Sequence, residues 1–237
     1  MIVARSVPLV AVLAMGPACE LDKEPPPPEA APVEAAAPEP VTLEGDGHYR
    51  GALDARERLV AGDLAGARGA MSWLAEPVSM KVYGPTLNTQ ARAMHAAARS
   101  FVTAEDNEEA AAALGRIGRV CGDCHVVANV ELPPLAEPAK RKGRYDEHAF
   151  AMDNLWHALI SQSMRTWSVG IESLEPALYE EAVPEGGEKY AKIVHQLTSR
   201  ARVAGSWKDR GGQFGAFMAT CDGCHVLLDE RSAVTRR

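Results

Sequence analysis

Aromatic residues make up only 5 % of this 237-residue chain. No apolar run approaches the ~20 residues a membrane-spanning helix needs. Sheets favour β-branched and aromatic side chains, so this scarcity beside abundant alanine points to packed helices. No Lys/Arg-rich block appears: 25 cations face 32 anions, a formal net charge of −7. That balance excludes a nucleic-acid binder that works through a basic face. The sequence also lacks a Ser-His-Asp arrangement, a Gly-rich phosphate loop and a His-x-x-x-His helix, so nothing recommends a hydrolase or kinase. With 46 % hydrophobic residues, the length allows one or two domains, each able to bury a core.

The chain begins with one cation (Arg5), an apolar stretch from Val7 to Met15, and the small residues Gly16, Pro17 and Ala18 before Cys19. The apolar part is too short for a membrane helix and reads as a secretory signal peptide over 1–18. It resembles a bacterial lipoprotein signal, in which a cysteine directly after a small residue is acylated and becomes the mature N-terminus. The resemblance implies lipidation at Cys19, with Gly16 standing where such signals usually place Leu. Ordinary cleavage is the alternative. Either way the chain is expected to be exported, to the periplasmic side of a bacterial membrane.

Residues 19–45 are rich in Pro, Glu and Ala, opening with Pro25 to Pro28. Such a segment buries no core and is expected to stay extended as a disordered tether. It holds most of the chain's excess negative charge, so the remainder is close to neutral and charge is little guide to its partner.

Cys121-Gly-Asp-Cys124-His125 recurs as Cys221-Asp-Gly-Cys224-His225, 100 residues later. Cys-x-x-Cys-His is the attachment pattern of c-type haem. On a helix these residues fall at i, i+3 and i+4, one face of about one turn. Two sulfurs can then add to the two vinyl groups while the imidazole reaches the iron from the same side. The alternatives are fewer in their merits. A four-cysteine zinc site typically sets its knuckles roughly 15–20 residues apart and does not explain the histidines. A thioredoxin-like motif needs a βαβ context, and a Cys-x-x-Cys disulfide closes too small a loop to stabilise much.

The repeat extends past the cysteines. At the same offset Asp46 matches Asp146, Leu59 matches Leu159, Leu74 matches Leu174, Ala91 matches Ala191 and Gly115 matches Gly215. Six of the seven histidines also pair, as His48/His148, His95/His195 and His125/His225. Two tandem copies of one haem domain, 46–130 and 146–237, are expected to be joined by a linker over 131–145. Periodicity and punctuation predict four helices per copy: about 46–61, 63–76, 86–104 and 107–128, then 146–161, 163–175, 185–204 and 207–228. Asn107, followed by Glu108 and Glu109, reads as an N-cap.

The haem motif thus sits on the last helix of each copy, and no methionine follows His225. An all-α chain of two antiparallel four-helix bundles with the motif on each final helix resembles the class II c-type cytochromes, the cytochrome c prime group and its low-spin relatives. The resemblance covers about 46–129 and 146–237 by architecture and motif position. It implies covalent haem, with electron transfer or small-gas binding in the periplasm.

In that family a residue early on the first helix covers the distal side. The start of that helix lies beside the end of the fourth in an up-down-up-down bundle. His48 and His148 hold this place, each 73 residues before the first motif cysteine, and are the expected sixth ligands beside His125 and His225. His95 and His195 lie roughly 13 Å along the bundle and rank lower. Met152, four residues after His148, shares its helix face and is either a thioether ligand or core filling. His157 has no counterpart and is expected at the surface. The four tryptophans, Trp73, Trp156, Trp167 and Trp207, are expected between helices or against haem edges.

These readings converge on a dihaem electron carrier, not an enzyme, with two haem c groups held by Cys121, Cys124, Cys221 and Cys224. Its partners would be redox proteins at the membrane or in the periplasm. The alternative is a gas-binding or peroxidase-type protein with one open iron.

Overall fold

The computed structural model describes residues 47–76, 85–133, 135, 144–174, 183 and 186–227, and for 144–146 the backbone alone. The expected signal (1–18), Cys19 and the tether (19–45) lie outside these residues, as does most of 131–145. Eight α-helices account for the described chain: α1 Gly47–Val60, α2 Leu64–Ala75, α3 Asn88–Val102, α4 Asn107–Val127, α5 Arg144–Ser161, α6 Met164–Leu174, α7 Glu188–Arg202 and α8 Trp207–Leu227. No strand occurs among the described residues, so the fold is all-α.

Local chemistry starts several of these helices at matched positions in the two halves. Asp63 accepts the Gly66 N–H at 2.9 Å and caps α2, while Ser163 accepts the Thr166 N–H at 3.3 Å and caps α6. Ahead of α4 the cap is Asp106, not Asn107: its carboxylate accepts the Glu109 N–H at 2.8 Å. Glu109 in turn accepts the Glu105 N–H, a reciprocal arrangement close to a capping box. Ahead of α8, Ser206 Oγ accepts the Asp209 N–H at 3.1 Å and its hydroxyl donates to the Asp209 carboxylate at 2.7 Å.

Helices α1, α2 and α7 bury one stripe, whereas α5 is buried on every face from Ala151 to Ile160, Asp153 alone being half-covered. Ala52, Ala55 and Leu59 face inward from α1, Ala67, Met71 and Leu74 from α2, and Val194, Leu197 and Ala201 from α7. Two of the bulkiest buried side chains meet where α4, α5 and α8 come together. There Trp156 lies 5.6 Å from Phe214, centroid to centroid, and over Gly118. Burying each such ring stabilises the fold by about 1.5–3 kcal/mol. Trp167 is also buried, its indole N–H donating to the Ala201 carbonyl at 3.0 Å. Trp207 lies under the Arg210 guanidinium, whereas Trp73 stands 41 % exposed, outside the buried core.

The most extensive helix contact joins α4 to α8, the two motif helices. Gly115 meets the backbone of Gly211, and Gly215 meets the backbone of Ala111. Residue numbers rise along one helix as they fall along the other, so the pair is antiparallel. A residue and its repeat counterpart exchange roles across the contact, as in an isologous two-fold interface. Only residues without bulk permit this approach. Around the pair, α3 packs on α4 and α7 on α8, while α1 pairs with α2 and α5 with α6. Helix α5 lies more on α4 than on α8, and α1 touches both α4 and α8. All eight helices fall in one compact unit.

Candidate functional site

Helix α4 carries Cys121, Cys124 and His125 on its last turns, and α8 carries Cys221, Cys224 and His225 on its own. None of the four cysteines is joined in a disulfide. Cys121 and Cys124 are buried, whereas Cys221 and Cys224 are partly covered. Burial pushes the Cys121 thiol up to about 12, with the neighbouring Cys124 and Asp123 adding to the rise. The Cys221 thiol is also raised to about 12 by burial, with Cys224 and Asp222 contributing. Burial, then Asp123, raises Cys124 as well. These are protonated sulfurs, unlike the thiolates of redox-active Cys-x-x-Cys pairs.

The histidine of the first motif is oriented from outside its own helix. His125 Nδ1 lies 2.8 Å from the Ile160 carbonyl oxygen at the end of α5. A carbonyl only accepts, so Nδ1 carries the proton and Nε2 keeps its lone pair. Burial lowers the His125 pKa against the effect of that hydrogen bond, which favours the neutral imidazole. Iron-ligating histidines have this form: neutral, one nitrogen free, the other donating to a carbonyl. Burial lowers His225 too, with Asp222 opposing, but its Nδ1 is buried without a hydrogen-bond partner.

The supports differ as well. Gln162, which follows α5 at a positive φ of 49°, donates from Nε2 to Asp123 Oδ1 at 2.8 Å. Arg119 pairs with the other oxygen of the same carboxylate. Gly122 lies against Leu159 and Gln162, so the last turns of α4 are braced by the end of α5, the two helices running parallel there. At the equivalent places the second motif has Gly223 and Ala219, and the first repeat has Gly62, so this network has no counterpart. The Tyr190 ring of α7 lies against Gly223 instead. Sequence reasoning missed Gln162 and Asp123. The acid inside the first motif was a signal, but nothing local paired it with a residue 39 positions away.

The other histidines scatter. His48 is the second residue of α1 and His148 the fifth of α5, both half-buried. Since Ile160 is the α5 residue beside His125, His148 stands about 18 Å up α5 from the first motif. His95 is half-buried, with Nε2 enclosed and unpartnered, whereas His195 is exposed. Met152 is 8 % exposed, within the hydrophobic core. His157 is not at the surface: it is 8 % exposed, and Nε2 lies 2.8 Å from the Pro133 carbonyl oxygen. The segment after α4 folds back over it, which its lack of a repeat counterpart could not reveal. A cavity of about 660 Å³ borders His157, Asn154, Phe150 and Arg165 but none of the motif residues.

The two cysteine pairs do not converge. From the Gly115–Gly211 and Ala111–Gly215 contacts, Cys121 and Cys221 stand about 24 Å apart along the antiparallel pair. A single zinc held by both knuckles is therefore ruled out. Among the described residues no three His, Cys, Asp or Glu side chains group as a metal cage. Two thiols and a neutral imidazole on one helix face fit the donor set of c-type haem attachment, two sulfurs for its edge and a nitrogen for one side of the iron. No known protein family, curated protein or solved structure matches this chain.

Proposed function

We propose that the chain is an exported dihaem c-type cytochrome that carries electrons, built from two four-helix repeats that share the α4–α8 contact. The carrying observation is the His125 ring: its Nδ1 proton is directed at the Ile160 carbonyl, leaving Nε2 available beside two thiols on the same face. Bound there, the iron would supply one-electron exchange between its ferrous and ferric states. Cys121 and Cys124 would hold the first group and Cys221 and Cys224 the second, with His125 and His225 as iron ligands. His48 and His148 are proposed for the opposite coordination positions, with His95, His195 and Met152 ranked below them. Because Cys121 and Cys124 are covered, loading the first site displaces what covers them, which couples attachment to folding.

Lipidation at Cys19 and a tether over 19–45 would hold the carrier at the periplasmic membrane face, where it meets its redox partners. The test is attachment itself. The chain with Cys121→Ala and Cys124→Ala should lose the mass of one haem and keep the other after denaturation. Two haems still covalently bound would overturn the assignment.

A further inference from the structure

The two motif turns lie far from one another, and the distance follows from two contacts. Gly115 meets Gly211 and Ala111 meets Gly215, which fixes α4 and α8 as antiparallel and sets their register. His125 lies ten residues beyond Gly115, and His225 ten residues beyond Gly215, in opposite directions. At 1.5 Å per residue the two histidines are about 36 Å apart along the pair.

Resting on the dihaem reading above, we propose that the chain is a two-ended carrier: each haem-bearing end exchanges electrons with its own partner, and no relay runs between them. Tunnelling rates fall exponentially with the distance between the edges of redox centres. Cys121 and Cys221, the attachment residues nearest the crossing, are still about 24 Å apart along the pair, a gap that leaves single-step transfer too slow to join the two ends. The side chains at the crossing do not shorten it. Trp156 and Phe214 sit there, but an indole or phenyl ring is oxidised only at potentials above those of a haem ligated by His or Met. Charge coupling fails too. Over this span salt screens one iron's charge from the other, since the Debye length is about 8 Å at physiological ionic strength. The ends also differ chemically: α5 braces the first motif through Gln162 and Asp123, whereas Tyr190 of α7 lies against the second. Two separate partners can thus be served by one tethered chain.

The experiment uses the haem-loaded full chain. Val127 and Leu227, both exposed at the motif ends, are replaced by a keto-bearing amino acid and coupled to nitroxides, which leaves the motif thiols untouched. Pulsed dipolar EPR should give a main distance near 40 Å, set by the same helix rise. A main distance below about 25 Å would overturn the arrangement. In the Cys221→Ala/Cys224→Ala chain the midpoint potential of the remaining haem should equal its value in the intact protein, and a shift would overturn independence. After a flash that half-reduces the intact protein, electron redistribution should slow in proportion as the protein is diluted. A fast, concentration-independent phase would overturn the claim. Haem mass reads the underlying assignment separately: a chain without covalent haem fails the dihaem reading, while the label distance still reports the helix arrangement.

Discussion

The two motif ends carry the same five-residue pattern and are held in different ways. At the end of α4, the His125 ring, the Asp123 carboxylate and the Gly122 backbone all meet the end of α5. At the end of α8, His225 Nδ1 has no partner, and glycine stands in place of both Asp123 and Gln162. The two copies share the cysteines and histidine that would hold the proposed haem, and differ in the residues that orient them. Hydrogen bonding to a ligating imidazole tunes its basicity, so under the proposed function two motifs of the same pattern in these settings would hold iron at different potentials.

The strongest way to break the comparison is at the helix crossing both ends depend on. A Cβ at Gly115 would overlap the Gly211 carbonyl oxygen, which is backbone and cannot rotate away. Gly115→Ala should therefore separate α4 from α8 and cost about 3 kcal/mol. At Gly215, the repeat counterpart, the Cβ would meet the Ala111 oxygen at 2.8 Å, a milder conflict. Gly215→Ala should cost about 1–2 kcal/mol. Denaturant midpoints measure both. No loss in either would mean that the crossing does not rest on these glycines, and equal losses would mean that the two conflicts are alike.

Much of the local architecture was legible, because helix formation answers to nearby signals. The predicted α4 over 107–128 is found at Asn107–Val127, and the predicted α1 over 46–61 at Gly47–Val60. The error at Asn107 was a shift of one residue, since Asp106 and Asn107 are both capping types and only geometry decides between them. Pairing between helices was not legible. The repeat suggests that each motif is enclosed by its own copy, yet the end of α4 is braced by α5, from the other copy. That placement depends on Gly115, Gly118 and Gly122 together letting α8 and α5 approach α4, and small residues in a helix name no partner. His157 shows the same limit: its burial depends on the Pro133 carbonyl, in a segment with no periodicity to read.

A second way to sharpen the comparison separates bracing from stability. Gln162 adopts a left-handed φ of 49°, where a residue with a Cβ is strained by about 1 kcal/mol. Its bond to Asp123 contributes a similar amount. Gln162→Ala keeps the strain and loses the bond, so it should destabilise by about 1 kcal/mol. Gln162→Gly loses both and should be nearly neutral in a denaturant titration. Both variants should nevertheless shift the potential of the first haem and leave the second unmoved. A potential that follows stability, changing in Gln162→Ala alone, would show that Gln162 is only a structural residue.

The smallest expected difference lies in the caps of α2 and α6. Asp63 and Ser163 occupy the same place in the repeat and both accept a backbone N–H from three residues on. Only one of them titrates. The Gly66 N–H holds the Asp63 carboxyl below its ordinary range against the opposing effect of burial, and Arg58 adds to the lowering. A carboxyl whose folded pKa is depressed contributes stability above its unfolded pKa, and that contribution is lost as pH falls through the folded value. Acidification should therefore loosen the start of α2 before it affects the start of α6. Amide exchange at Gly66 and Thr166, followed as pH is lowered and corrected for intrinsic exchange, reads the two caps side by side. In Asp63→Ser the acid-dependent difference should vanish, because a hydroxyl keeps the cap without ionising. The Arg58 contact is lost in that variant at every pH, so protection near neutrality should fall slightly. Continued acid loosening of α2 in Asp63→Ser would place the responsible proton on another group.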